Sequence, residues 1–173
     1  MDIRIAGTVN ESIVDGPGFR YTVFTQGCHH GCLGCHNPET HDFCGGHVVN
    51  TDDLIAEMKK NTLLDGLTLS GGDPFEQWVP CTQLAKGAQA LGLNVWAYTG
   101  YRWEELMLKP QWRALIEACD IVVDGRFVQK QRTLDLRFRG SRNQRLIDVR
   151  ASLEAGRAVE YMLDFECGIR RIG

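Results

Sequence analysis

The apolar positions of this chain fall in short clusters separated by polar, glycine-rich stretches. Residues 20–25 (RYTVFT) concentrate β-branched and aromatic side chains and predict a strand. Residues 26–50 carry Gly, His, Cys and Pro and predict a long loop. Loops of that length in a compact domain are usually functional. Thr51, Asp52 and Asp53 predict a helix start, with acids at the positive helix end, and Leu54, Ile55 and Met58 give it one apolar face through about Asn61. Leu67–Ser70 predicts a short strand ending in Gly71-Gly72, and Leu84, Ala88 and Leu91 have helical spacing. Residues 94–98 (NVWAY) predict a strand stopping before Gly100. Trp103–Leu108 reads as helix, Pro110 opens another, and Ile121-Val122-Val123 is a buried type of strand.

This is an alternating β–α order without repeat or low-complexity linker, which implies parallel strands joined by right-handed crossovers. Four strands are clear through residue 123, and the tail has room for one or two more. A complete barrel of eight strand–helix units needs roughly 250 residues. The chain has 173, so the expectation is α/β: a partial, incomplete β/α barrel with a mostly parallel sheet. Residues 1–150 are read as one domain and 151–173 as a C-terminal extension.

Composition changes little. Hydrophobic residues are 43% and charged residues 24%, as in ordinary globular domains. That excludes disordered, collagen-like and coiled-coil chains. No run approaches the roughly 18 apolar residues of a membrane span. The first residues, Met1–Ile5, lack a signal-peptide core, so a cytoplasmic address is expected. Net charge is −3, which gives no whole-chain argument for nucleic acid or anionic membrane.

Seven cysteines change the picture. An odd count in such a chain argues against a disulfide framework. Cys28, Cys32, Cys35 and Cys44 fall within one loop, together with or just before all five histidines: His29, His30, His36, His41 and His47. Cys28, Cys32 and Cys35 have C-x3-C-x2-C spacing. Three thiolates on one loop can hold three irons of a 4Fe–4S cluster and leave the fourth open to a ligand, whereas electron-transfer clusters take four cysteines. The competing reading is structural zinc held by these three and Cys44 or a histidine. Spacing alone leaves both open; the strand before the loop and the glycine turn after it favour the cluster. Cys81 and Cys119 read as small core residues, and Cys44 and Cys167 as free thiols. Trp96, Trp103 and Trp112 read as core.

Four motifs each follow a predicted strand: the cysteine loop, Gly71-Gly72-Asp73-Pro74, Thr99-Gly100-Tyr101 and Asp124-Gly125-Arg126. Parallel α/β folds place their sites at the carboxyl ends of the strands, so all four should share one rim.

These motifs carry a resemblance. C-x3-C-x2-C after one strand and a Gly-Gly-acid turn after the next resemble the radical S-adenosylmethionine (SAM) superfamily. Residues 15–20 (DGPGFR) resemble the corresponding stretch of glycyl-radical-enzyme activases. With Cys35-His36-Asn37, residues 70–74 (SGGDP), 98–101 (YTGY), 123–127 (VDGRF) and 138–144 (FRGSRNQ), the order is similar to that of the activating-protein family of anaerobic ribonucleoside-triphosphate reductases. The resemblance covers about residues 10–150.

It implies a fold of the radical SAM type and a 4Fe–4S cluster on Cys28, Cys32 and Cys35. Reductive cleavage of SAM there would yield a 5′-deoxyadenosyl radical, which would take hydrogen from a glycine of the reductase. It also implies a SAM site made by Gly34, Cys35, His36, Gly71, Gly72, Asp73 and Thr99. There Asp73 would meet the SAM amino group or fix the turn, Thr99 would meet the ribose, and His36 is a candidate for the adenine. The implied partners are the reductase and a low-potential electron donor such as flavodoxin or ferredoxin, without membrane or direct nucleic-acid binding. The rivals are an activase of the pyruvate formate-lyase type, a radical SAM enzyme acting on a small molecule such as a deazapurine synthase, and a zinc-binding interaction module.

Residues 126–150 hold eight basic against two acidic side chains, a net +6 that leaves −9 for the rest. A solvated face, a protein-docking surface and a phosphate or nucleic-acid patch compete for this stretch. Single aromatics such as Phe127 and Phe138 do not make a base-stacking platform.

Overall fold

The computed structural model describes residues 1–163. Its centre is a seven-stranded mixed sheet in the order β3-β1-β2-β4-β5-β6-β7. The four strands clear in the sequence are β2 (Arg20–Thr25), β4 (Gly66–Gly71), β5 (Asn94–Tyr98) and β6 (Ile121–Asp124), and they pair in parallel. Three antiparallel strands flank them. β1 (Asp2–Ser12) pairs with β2, β3 (His47–Asn50) pairs with β1, and β7 (Arg145–Asp148) pairs with β6. The stretch expected as loop over 26–50 therefore ends in an edge strand and also contains a 3-10 turn at Pro38–Thr40. Both short elements depend on pairing with distant chain, which local pattern does not reveal.

Helix α1 (Thr51–Lys60) starts at Thr51 as expected, and the Asn50 side chain caps it by accepting the Asp52 N–H at 2.9 Å. α2 (Trp78–Ala90) connects β4 to β5. α3 (Trp103–Met107), a 3-10 turn opened by Pro110, and α4 (Arg113–Glu117) connect β5 to β6. α5 (Val149–Ala155) follows β7, and residues beyond it return along that strand, with Tyr161 N–H on the Leu146 carbonyl at 2.7 Å.

The two faces of the sheet differ. Tyr21, Val23, Leu67, Leu69, Val95, Ala97, Val122 and Ile147 point to one face and pack with buried residues of all five helices, including Leu54, Leu84, Leu106, Ile116 and Val149. Strands wound in one direction with right-handed crossovers put their helices on a single side. Cys81, Cys119, Trp103 and Trp112 belong to this core, as expected. The alternate positions Arg20, Thr22, Thr68, Ser70, Asn94, Trp96 and Tyr98 line the other face. A smaller cluster covers part of it, with Trp96, Ile121, Val123 and Leu146 beneath Phe138, Tyr161 and Leu163.

At the strand starts, Arg20 crosses this second face, fully buried. Its guanidinium donates to Thr68 Oγ1 at 2.7 Å, Asn94 Oδ1 at 2.6 Å and the Leu67 carbonyl at 2.5 Å. Gly66 makes room for it: a Cβ there would come within 2.3 Å of Arg20 Nη1. Burial pulls the guanidinium pKa down to about 10. The DGPGFR stretch is thus built into the sheet, at the opposite end of β2 from the cysteines. Among the described residues no helix is long and apolar enough to cross a membrane.

Candidate metal centre

The four strand-end motifs meet through hydrogen bonds. From the turn after β4, Asp73 N–H donates to the Gly27 carbonyl beneath the cysteine loop at 2.9 Å, and Gly72 N–H to Thr25 at 2.7 Å. The Asp73 carboxylate is fully buried. Its Oδ1 accepts Phe75 N–H at 3.0 Å, while Oδ2 accepts Thr99 Oγ1–H at 2.8 Å and Gly100 N–H at 3.0 Å. His30 Nε2 lies 2.8 Å from the same oxygen, and the His30 ring stands edge-on to Tyr101. After β6, Gly125 N–H reaches the Tyr101 carbonyl at 3.1 Å. Asp73 is therefore the hub of the rim, with both oxygens taken by protein donors, and this favours its turn-fixing role. Thr99 Oγ is likewise engaged, donating to Asp73 and accepting Tyr101 N–H at 3.1 Å.

The glycines of the turn answer to the protein itself. Gly71 has φ +93°, and a Cβ on it would lie 2.6 Å from the backbone of Phe24 and Thr25. A Cβ on Gly72 would lie 2.4 Å from the Gly27 carbonyl oxygen. Only glycine lets β4 end this close to the root of the cysteine loop.

The loop is anchored at both ends. Gly27 N–H donates to the Thr40 carbonyl at 2.8 Å and Cys28 N–H to His41 at 3.2 Å. The buried Gln26 side chain ties down the return through the carbonyls of Glu39, at 3.0 Å, and Asp42, at 2.6 Å. Cys28, Cys32 and Cys35 are all half-buried free thiols, and the Cys35 sulfur accepts the Asn37 N–H at 3.4 Å. Burial pushes the Cys28 thiol up to about 11 and also raises Cys32, so both are neutral thiols before metal loading. Cys44 is exposed and stands apart, with its N–H on Asp42 Oδ1 at 2.9 Å. Among the described residues no three His, Cys, Asp or Glu side chains gather as ligands of a single metal ion. Three soft donors on one loop, with Cys35 already receiving an N–H···S bond, suit an iron–sulfur cluster, whose sulfurs are tuned by such bonds.

The two remaining motifs close over the loop from the other side. The Phe127 backbone lies beside Cys32, and its ring packs against the exposed His36, with ring centroids 4.8 Å apart. Gly34, at φ +73°, faces the Gln129 side chain. Gly140 leaves space for His36, since a Cβ would lie 2.9 Å from its ring. The 138–144 stretch holds the 125–128 turn. Gln144 Nε2 donates to the Gly125 carbonyl at 2.9 Å, Asn143 Nδ2 to Arg126 at 2.8 Å, and Val128 N–H donates to Ser141 Oγ at 3.1 Å.

The sequence singled out most of these positions. Cys28, Gly71, Gly72, Asp73 and Thr99 come together on one side of the rim, and Gly34, Cys35 and His36 on the other. Nothing in the sequence spacing singles out His30, which is buried against Asp73 with 4% of its side chain exposed. Cys167 lies outside the described residues.

The chain falls in the class of iron–sulfur proteins: the family model described as "4Fe-4S single cluster domain" matches residues 14–147. The zinc alternative finds no such support. Among similar proteins, one from Haemophilus influenzae is 38% identical over 143 residues, covering 76% of this chain and 89% of its own length. One from Escherichia coli strain K12 is 36% identical over 140 residues, covering 76% and 90%. One from Enterobacteria phage T4 is 32% identical over 139 residues, covering 77% and 86%. All three are named anaerobic ribonucleoside-triphosphate reductase-activating protein. The chain belongs to this family of activating proteins.

Proposed function

We propose that the protein is a radical SAM activase that installs the glycyl radical of an anaerobic ribonucleoside-triphosphate reductase, and that its sheet is the partial β/α barrel of that superfamily. The observation that carries this reading is the cysteine loop. Its three half-buried thiols follow directly on the rim position, Gly27, where the Gly71-Gly72-Asp73 turn meets the root of the loop. Three ligands leave one iron of a cluster free for a substrate, and the sheet winding, with all helices on one face, supports the barrel assignment.

In this reading Cys28, Cys32 and Cys35 hold three irons. A cluster held there would supply the one-electron reduction that splits SAM into methionine and a 5′-deoxyadenosyl radical, the species that would take a hydrogen atom from a glycine Cα of the reductase. The chain's own residues position and shield. The Asn37 N–H would stabilise the Cys35 thiolate. Asp73 orients the Gly71-Gly72 backbone toward the methionine end of SAM by gathering four donors at its carboxylate. Gly34, Cys35 and His36 present exposed backbone, and the His36–Phe127 pair is the candidate cover for the adenine. Thr99 acts on the site through Asp73. A low-potential flavodoxin or ferredoxin would deliver the electron, and the cytoplasm is the address this chemistry suits. The names of the relatives favour the ribonucleotide reductase over a pyruvate formate-lyase as substrate.

Anaerobic reconstitution tests the reading. Roughly four irons and four sulfides per chain, with methionine released from SAM on reduction by dithionite, are expected. One zinc without sulfide, or a full cluster that leaves SAM intact, contradicts it.

A further inference from the structure

Resting on that reading, we propose that the cationic segment 126–142 is the docking surface for the reductase, and that it receives an acidic face of that protein beside the cluster.

Placement comes first. This segment is the part of the molecule that closes over the cysteine loop, through Phe127 on Cys32 and His36, and Gln129 beside Gly34. A protein that brings a backbone glycine to the rim beside Gly34 and His36 would meet it. Charge comes second. Arg126, Lys130, Arg132, Arg137 and Arg142 are all exposed. Among the described residues none of them is within ion-pair distance of a carboxylate, whereas the neighbouring Arg145 is locked to Asp124 and Glu104. The one acid within the segment, Asp135, is engaged in its own turn with Thr133. Five uncompensated cations on a chain whose remainder is strongly acidic make a local positive field, the pattern that steers a complementary partner.

Apolar exposure comes third, and it selects a protein over a free anion. Leu33 in the cysteine loop is 79% exposed and Leu134 in the segment 90% exposed. Exposed leucines among arginines fit the mixed surface of a protein interface. The fold supplies a base for this surface, since the hydrogen bonds of Ser141, Asn143 and Gln144 join its two ends, at 125–128 and 141–144, to each other just past β6.

The test uses the reconstituted, cluster-loaded protein and the glycine-bearing reductase, with binding measured by titration calorimetry at 50 and 500 mM salt. Two variants are compared: Arg132→Glu with Arg137→Glu and Arg142→Glu, and, as an equal charge change on the helical face, Lys59→Glu with Lys60→Glu and Lys86→Glu. The first should weaken binding by about tenfold or more at low salt, with the deficit shrinking at high salt as exposed charges are screened. It should keep its iron content and its reductase-independent SAM cleavage. The helical variant should bind within about twofold of the parent. Equal weakening by both variants overturns the proposal, because net charge then suffices. Unchanged binding of the first variant overturns it while leaving the activase reading intact. Loss of SAM cleavage in the first variant also overturns it, because those arginines then serve the SAM site. A parent protein that cleaves no SAM overturns the functional reading instead, and this proposal with it.

Discussion

At the scale of single residues, the cysteines are distinguished by their surroundings. Cys28→Ala, Cys32→Ala or Cys35→Ala should each abolish the visible absorbance of the 4Fe–4S cluster and all SAM cleavage. Cys44→Ala, at an exposed site with its own local turn, should retain both. A Cys44→Ala protein that cannot take up iron would restore a four-cysteine centre. The Cys28 thiol, raised from 9.0 to about 11 by burial, keeps its proton at neutral pH. Loading must displace that proton, so iron uptake should release acid and run faster at pH 9 than at pH 7. In the metal-free fold the same shift favours folding below about pH 9, and that contribution fades as pH rises through about 11. An uptake rate independent of pH would contradict the buried-thiol account. Gly72 gives a sharper test, because the atom a side chain would strike is the Gly27 carbonyl, at 2.4 Å. Gly72→Ala should therefore displace the root of the cysteine loop and lower iron content, with about 1–3 kcal/mol of lost stability. Full iron content with only weakened SAM affinity would show that the glycine serves the ligand alone.

At the scale of elements, the sequence made the parallel centre legible and the antiparallel margins illegible. Residues 20–25 and 94–98 are strands over the whole predicted range, because runs of β-branched and aromatic residues flanked by glycine have few other uses. β1 carries a period-two signal only at its start, where Ile3 and Ile5 are buried, and loses it over the exposed Thr8–Glu11. β3 and β7 are four residues each and are specified by their partners rather than by their own pattern. In the site, spacing revealed the three cysteines and the glycine turn. The His30–Asp73 pair was hidden because it depends on how residues 43 positions apart return to one rim. The DGPGFR stretch shows the reverse case, a motif shared with activases whose arginine is a beam of the sheet. Arg20→Met should leave Thr68, Asn94 and the Leu67 carbonyl without their donor and lower unfolding free energy by about 3 kcal/mol, read by urea denaturation. A change below about 0.5 kcal/mol, the scatter of ordinary surface substitutions, would show that the guanidinium is dispensable to the fold.

For the whole molecule, the division of labour follows the sheet. One face is apolar and carries the helices; the other is polar, leads to the rim, and is partly covered by Phe138, Tyr161 and Leu163. The closing segment is latched at its far end by Arg145, which bridges Asp124 at the end of β6 and Glu104 of α3. This arrangement brings the cysteine loop, the glycine turn and the cationic segment together at one end, where a second protein has access. The central claim is that this end creates a radical on that second protein. It is tested most directly by electron paramagnetic resonance of the reductase after anaerobic incubation with the reduced, cluster-loaded protein and SAM. The account predicts a glycyl-radical doublet that requires SAM and disappears with Cys32→Ala. A protein with a full 4Fe–4S cluster that cleaves SAM yet leaves the reductase without that signal would contradict it.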